Sequence, residues 1–337
     1  MSDDKIYASA TTILCPIGQL RSNSKNGVEV VVDITPSNSL LWQRISVVTV
    51  AYNSSAVIGP CLKVLAGARH IIVVDNASTD DTVSLVRKVV PHAEIMHAEC
   101  NLGYGRGVNT ALKQVTTEFV LLITPDTVVE EKCVHRLLRA ADLWSNVGMV
   151  GPALTEPSGR NVRCHDAALF HRGRMSRSRD GEPFPDGPLC AGYIQNAVIL
   201  VRMAAFQEVG FYDSNIFLFY EDDDLCLRFI QKGWTLILLP DVTALHIVGS
   251  SSLDDNKKVT RLRYYHMAWS RIYLERKHRG EVAALIMGTR SVFRFASKIL
   301  AALVTFDCVR FTRDTARLKG SVAGLLGRSA FHSKERQ

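Results

Sequence analysis

The sequence predicts an α/β domain built on a mostly parallel sheet flanked by helices, followed by a helical, basic C-terminal region. Three observations predict it. Short, continuous apolar runs rich in Val and Ile recur between residues 45 and 123, as expected of strands buried on both faces. Helical stretches separate these runs, which is the alternation of a parallel sheet. From Val259 onward the chain has no proline and only isolated glycines, so it reads as helical.

In chain order, residues 1–43 are weakly patterned and form an N-terminal extension. Val28–Ile34 can add a strand there, and Pro36-Ser37-Asn38-Ser39 reads as a linker. The main domain, 44–256, opens with the strand Ile45–Val50 and the helix Ala56–Ala66. A second strand, Ile71–Val74, is followed by the helix Thr82–Val90 and a third strand, Glu94–His97. The loop Asn101–Gly107 leads into a helix to about Gln114, and Phe119–Ile123 is the next strand. After Met149-Val150-Gly151-Pro152 the character changes. Glu156–Pro188 reads as a long loop with six arginines (Arg160, Arg163, Arg172, Arg174, Arg177, Arg179), either a solvated segment or a lid over bound ligands. Ala197–Val201 is a strand, Phe206–Val209 and Leu225–Lys232 are helical, and Leu236–Leu239 is a late strand ending near His246. Residues 257–337 are the C-terminal region.

Of 337 residues, 47% are hydrophobic and 22% charged, enough for one large domain or two small ones. The net charge of +7 is uneven, because residues 257–337 carry 18 Lys/Arg against 5 Asp/Glu while the rest is net acidic. Such a tail seeks an anionic membrane surface or nucleic acid. Nucleic acid is the weaker reading: Tyr264, Tyr265 and Trp269 stand among arginines, but no zinc or RNA-binding motif accompanies them. Eight cysteines without a CxxC pair speak against a zinc knuckle, and the absence of a signal-like N-terminus fits a cytoplasmic, reducing setting. No uninterrupted apolar run is long enough for a spanning helix.

Ligands of such sheets bind at the C-terminal strand ends, which here carry Tyr52-Asn53, Asp75-Asn76 and Asp126. Asp75 suits a turn or helix cap, or a carboxylate accepting a nucleobase N–H. In Asn101-Leu102-Gly103-Tyr104-Gly105-Arg106-Gly107, alternate glycines allow close backbone approach to a phosphate that Arg106 can neutralise; a tight strand-to-helix turn explains them equally. Asp126 ends an apolar strand behind Thr124-Pro125, either as a turn residue or as an oxygen ligand for Mg²⁺ or Mn²⁺. Phe217–Leu225 (FLFYEDDDL) places four acids, Glu221 to Asp224, after an aromatic run. Their mutual repulsion is costly unless a role offsets it, and it suits a general base. A helix N-terminus explains one or two of them. His246, alone, reads first as structural.

Together these segments identify a resemblance to inverting family 2 glycosyltransferases with a GT-A fold, in the rhamnosyltransferase branch of bacterial surface-polysaccharide assembly. It is carried, in order, by VVTVAYNSS (47–55), IIVVDNASTDDT (71–82), NLGYGRGVNTAL (101–112), LLITPDTVV (121–129), AAFQEVGFYD (204–213), FLFYEDDDLCLR (217–228) and ALHIVGSSS (244–252). The resemblance implies Asp222 as catalytic base and Asp126 with His246 as ligands of Mg²⁺ or Mn²⁺. Thr124 stands where the first acid or Asn of the metal motif is usual. It implies a nucleotide-diphosphate sugar bound by Tyr52, Asn53, Asp75, Asn101, Gly103, Arg106 and Asn109. Glu221, Asp224 and Asn196 fall on the acceptor or lid side, with Asn196-Ala197 where many relatives have Gly-Ala. dTDP-rhamnose is the preferred donor and a UDP-sugar such as UDP-galactose the alternative; the acceptor is a polyprenyl-diphosphate-linked saccharide. A non-catalytic nucleotide-sugar binder and a nucleotidyltransferase are the rival classes. Retained Asp126 and Asp222 oppose the first, and Ala51-Tyr52-Asn53-Ser54-Ser55, in place of a glycine-rich basic loop, opposes the second.

In the tail, Arg290, Arg294 and Lys298 recur every fourth residue among Val292, Phe293, Phe295, Ile299, Leu300, Leu303, Val304 and Phe306. On a helix this is a basic amphipathic surface. It predicts peripheral attachment to an anionic membrane, at the cytoplasmic face of the inner membrane, with packing on the main domain as the other reading.

Overall fold

The computed structural model describes residues 38–166, 184–247 and 257–331. The expected strand Val28–Ile34 and residues 167–183 of the expected lid lie outside them. Helix α1 (Asn38–Gln43) leads into β1 (Ile45–Ala51), α2 (Ile58–Leu65), β2 (His70–Asp75), α3 (Thr82–Val89), β3 (Glu94–His97), α4 (Tyr104–Leu112) and β4 (Phe119–Ile123). There follow β5 (Thr127–Val129), α5 (Glu131–Leu143), β6 (Val147–Thr155), β7 (Asn161–Val162), β8 (His165–Asp166), β9 (Leu189–Ala191), β10 (Tyr193–Ile194) and β11 (Val198–Arg202). The chain continues with α6 (Met203–Val209), α7 (Glu221–Gln231), β12 (Thr235–His246), α8 (Lys257–Val304) and α9 (Cys308–Leu325).

The main sheet runs β3-β2-β1-β4-β11-β6-β12-β5, with β7 beside β6 and β9 beside β12. β1 and β4 are buried along their whole length, so their apolar runs need no alternation. Successive residues of β1 serve opposite faces: Val47 joins the core with Leu62, Leu65 and Leu137, while Val48 and Val50 join Val108, Phe206 and Phe229. β1, β2, β3 and β4 pair in parallel, as do β6 and β12, but β11 lies antiparallel between β4 and β6. A run such as VILV, buried on both faces, carries no mark of its direction, so only the assembled sheet decides it.

Two boundaries differ from expectation for local reasons. Gly148, Gly151 and Pro152 dilute the strand signal of β6. Yet a Cβ on Gly148 would come within 2.6 Å of the Phe229 ring, and one on Gly151 within 2.7 Å of Ile194. Those glycines let other elements close on the sheet. Helix α7 begins at Glu221 and not at Leu225, so all four acids occupy its first turn, against the positive end of the helix dipole.

α8 is two helices, 257–279 and 281–304, that meet at Gly280 with φ +86°. α9 packs on both: a Cβ on Gly320 would strike the Tyr265 carbonyl at 2.2 Å, and one on Gly288 the Leu325 side chain at 2.3 Å. This three-helix unit is fastened to the catalytic layer by a buried ionic cluster. Asp224, with no exposed surface, meets His278 Nε2 at 2.8 Å, Lys277 Nζ at 2.7 Å and Arg228 Nε at 2.8 Å. Burial alone would raise the Asp224 carboxyl, but the His278 hydrogen bond and the charges of Arg228 and Lys277 hold it down at about 2. Asp224, expected on the acceptor side, is thus placed inside this ionic cluster. Asp224→Ala, which leaves Arg228, Lys277 and His278 without their shared partner, is expected to cost about 3–5 kcal/mol in urea unfolding. A loss under about 1 kcal/mol, the size of an exposed pair, would show that the cluster holds nothing together.

Candidate active site

At the C-terminal ends of β1, β2 and β4 lies a cavity of about 530 Å³, of a size suited to a small ligand. Tyr52, Asn101 and Gly103 form one wall; Thr124, Asp126, Asn196 and His246 lie deeper. Phe217–Phe219, Glu221 and Asp222 form the opposite side, and Val259, Leu262 and Arg263 at the start of α8 complete it.

Asp126 and His246 are 120 positions apart in sequence, and sheet pairing joins them. The end of β12 pairs with β5, setting His246 opposite Thr127. His246 Nε2 then lies 3.6 Å from Asp126 Oδ1, with both side chains buried at the cavity wall. Thr124 does not supply a second carboxylate; its hydroxyl donates to Asp126 Oδ1 at 2.6 Å. One carboxylate and one imidazole facing a cavity fit a divalent cation that takes its remaining ligands from a bound diphosphate. Among the described residues no cluster of three or more metal-binding side chains occurs.

The acid turn is aimed by strained backbone. Phe219 and Tyr220 both adopt left-handed φ, +66° and +67°, immediately before Glu221. Such residues persist only where their surroundings over-determine them. The Asp222 carboxylate is held at both oxygens, by the Tyr193 hydroxyl at 2.6 Å and the Asp223 N–H at 3.0 Å. Glu221 Oε2 is buried without a hydrogen-bond partner. Burial, and after it the charge of Asp222, push the Glu221 carboxyl up to about 8. The folded state thus holds a proton that the unfolded chain, with an ordinary carboxyl, has released by pH 5–6. Glu221 costs no stability at low pH, and stability falls as pH rises from the ordinary carboxyl range through about 8. Glu221→Gln is expected to match the wild-type melting temperature near pH 4 and exceed it at pH 9. Parallel melting curves across that range would show that Glu221 carries no such proton.

Of the expected donor residues, Tyr52, Asn101 and Gly103 line the cavity and Asn53, Asp75, Arg106 and Asn109 do not. Asp75 accepts the Ser78 N–H and faces His97 Nδ1 at 3.3 Å, while Asn53 accepts the Thr79 N–H. The Arg106 Nε donates to the Ser214 carbonyl, and its guanidinium stacks 3.6 Å from the Phe331 ring centroid. Asn109 ties α4 to Tyr212 through both backbone groups. Two of the glycines allow close protein contacts. A Cβ on Gly103, whose φ is +78°, would lie 2.1 Å from the Phe217 carbonyl, and one on Gly107 2.8 Å from Val50.

Sequence reasoning passed over Tyr193 and Arg263, and named Asn76 at a strand end without giving it a role. Asn76 accepts the Leu102 N–H and donates to Asn101 and the Gly103 carbonyl, locking the loop that forms the cavity wall. Arg263 is the only Lys or Arg among the described residues that line the cavity. Nothing in TRLRYY marks Arg263 off from its neighbours. For Asn76 the strand-end position was a usable signal.

A cavity at the C-terminal ends of a mixed sheet, lined by Asp126, Glu221 and Asp222 and followed by a helical C-terminal region, is the arrangement of a GT-A fold. Residues 46–199, just under half of the chain, match the family described as Glycosyl transferase family 2, and this region is a glycosyltransferase domain similar to those of named rhamnosyltransferases. The chain is 25% identical over 235 residues to an N-acetylglucosaminyl-diphospho-decaprenol L-rhamnosyltransferase of Mycobacterium tuberculosis, covering 62% of this chain and 76% of the relative. It is 20% identical over 192 residues to the dTDP-rhamnosyl transferase RfbF of Shigella flexneri, covering 55% and 62%. The mannosyltransferase PcManGT of Pyrobaculum calidifontis, solved with GDP-Man and Mn²⁺, shares the fold at 16% identity and a TM-score of 0.52, over 85% of this chain and 88% of that one. No helix among the described residues is long and apolar enough to cross a membrane.

Proposed function

We propose that the protein transfers rhamnose from dTDP-rhamnose to a hydroxyl of a polyprenyl-diphosphate-linked saccharide, with inversion, in cell-surface polysaccharide synthesis at the cytoplasmic face of the inner membrane. The observation that carries this reading is that Asp222 and the Asp126–His246 pair line one cavity. The decaprenol-diphosphate acceptor and the rhamnosyl donor in the relatives' names support the choice of substrates.

The residues divide the work. Tyr193 and the Asp223 N–H fix the orientation of Asp222, whose carboxylate takes the proton of the acceptor hydroxyl. The acceptor oxygen forms a bond to the anomeric carbon as the bond from that carbon to the diphosphate oxygen breaks, and the electron pair leaves on the nucleoside diphosphate. One displacement inverts the centre and needs no covalent enzyme intermediate. Asp126 and His246 would hold Mg²⁺ or Mn²⁺, which supplies charge stabilisation for the departing diphosphate. Arg263 adds a cation at the same cavity. Asn196 donates to the Tyr212 hydroxyl and keeps a buried Oδ1 without a partner, an acceptor for a sugar hydroxyl.

Purified protein is incubated with dTDP-rhamnose, UDP-galactose and other UDP-sugars, and with an N-acetylglucosaminyl-diphospho-polyprenol acceptor, with Mn²⁺, Mg²⁺ or chelator. Metal-dependent transfer from dTDP-rhamnose with an inverted anomeric centre, read by NMR of the product, is expected. Transfer from UDP-galactose alone would replace the donor, and transfer undiminished by chelator would remove the metal.

A further inference from the structure

Of the sixteen large apolar side chains that are exposed among the described residues, twelve lie between Val282 and Leu326, so the exposed apolar surface belongs to the C-terminal unit. It is densest at the turn between α8 and α9. There Val304 is 80% exposed, Phe306 90% and Val309 74%, with Leu300 and Leu303 beside them. Phe306 holds a left-handed φ of +53° and so forms the reversal itself. A contiguous apolar projection of this kind is not how a surface helix that merely packs on its own domain is built.

The contacts along α9 show which way the turn points. Tyr265 lies by Gly320 and Ile272 by Gly324, so α9 runs in the same direction as helix 257–279. Gly288 lies by Leu325 and Phe295 by Arg317, so it runs antiparallel to helix 281–304. The Arg317 guanidinium sits over the rings of both Tyr264 and Phe295, which marks one common level in the unit. From that level, at 1.5 Å per residue, Val259 in the cavity wall lies about 8 Å away and the α8–α9 turn about 14 Å away in the same direction. The apolar turn is thus at the end of the unit that also carries Val259, Leu262 and Arg263.

The charge around it indicates what it meets. Residues 281–331 carry eight Lys/Arg and three Asp/Glu. Arg290, Arg294 and Arg310 are exposed, whereas Lys298 of the expected stripe is half-buried. Apolar side chains at a tip with exposed arginines set back from it match a bilayer interface with anionic headgroups. We propose that the α8–α9 turn inserts Val304, Phe306 and Val309 into the interfacial zone of an anionic bilayer. This insertion sets the cavity mouth at headgroup level, where the diphosphate of a lipid-linked acceptor lies. Only this last consequence rests on the proposed function; the insertion does not.

Full-length protein is sedimented with sucrose-loaded vesicles of phosphatidylcholine and phosphatidylglycerol that contain neither donor nor acceptor. The wild type is expected to bind these vesicles and to leave pure phosphatidylcholine largely unbound. Phe306→Ser with Val309→Ser, both at exposed positions, is expected to weaken binding by about tenfold or more while circular dichroism is unchanged. Arg290→Glu with Arg294→Glu is expected to weaken it further at low salt than at high salt. The proposal is overturned if the wild type stays in solution, or if the serine variant binds as the wild type does. It is also overturned if the serine variant turns a dimer into a monomer without changing vesicle binding, which would make a second copy the occupant. Vesicle binding without transfer from any donor would sink the proposed function and leave the insertion standing.

Discussion

Asp222→Asn is expected to lower kcat by about 10²–10⁴-fold, the usual contribution of a positioned general base, with little change in donor KM. The substitution is isosteric. The Asp223 N–H at 3.0 Å can donate to the new carboxamide oxygen, and the Tyr193 hydroxyl at 2.6 Å can turn to accept from the carboxamide nitrogen, so the first turn of α7 has no reason to move. What the variant loses is the ability to accept the acceptor's proton. The neighbouring acids do not replace it: Asp224 is committed to His278, Lys277 and Arg228, and Glu221 retains its proton up to about 8. Steady-state kinetics over a range of donor concentrations separates the two parameters. An active Asp222→Asn together with an inactive Asp223→Asn would move the base one position along.

Asp126→Ala is expected to lower turnover by about 10²–10³-fold, the scale on which one electrostatic stabiliser of a developing charge is lost. Folding should be nearly unaffected. The Thr124 hydroxyl, which now donates to Asp126, has Thr127 Oγ1 at 2.9 Å and the Ala197 carbonyl at 3.3 Å as other partners, so the loss is about that of one hydrogen bond, roughly 1 kcal/mol. Calorimetric titration of Mn²⁺ in the presence of nucleoside diphosphate should show the binding heat vanish in the variant. Near-wild-type turnover under saturating Mg²⁺ would remove Asp126 from the metal site.

β1, β2, β4 and β11 were legible because burial on both faces writes an uninterrupted apolar run into each of them. Phe119–Ile123 was placed to the residue, and a third strand was expected near Glu94–His97, where β3 lies. The chemistry-bearing positions at strand ends were legible for the related reason that a buried run must stop where the chain reaches the cavity. Three things were not legible. The direction of β11 depends on its neighbours in the assembled sheet. The pairing of Asp126 with His246 depends on β12 reaching β5. The acid run Glu221–Asp224 divides its roles by helix geometry. At 3.6 residues per turn, Asp222 and Asp224 point about 200° apart, so one faces the cavity and the other the interior. Periodicity alone states that they diverge, but only the packing of α8 against α7 decides that Asp224 is the one taken by His278. The same holds for the two arginines: the sequence offered Arg106 beside glycines, and the folded chain spends it on Ser214 and Phe331 while a helix 157 positions later brings Arg263 to the cavity. Local sequence determines which residues are buried and where strands end, because those follow from apolar periodicity. Which charged side chain faces a shared cavity is a long-range outcome, decided by where the last helices come to rest.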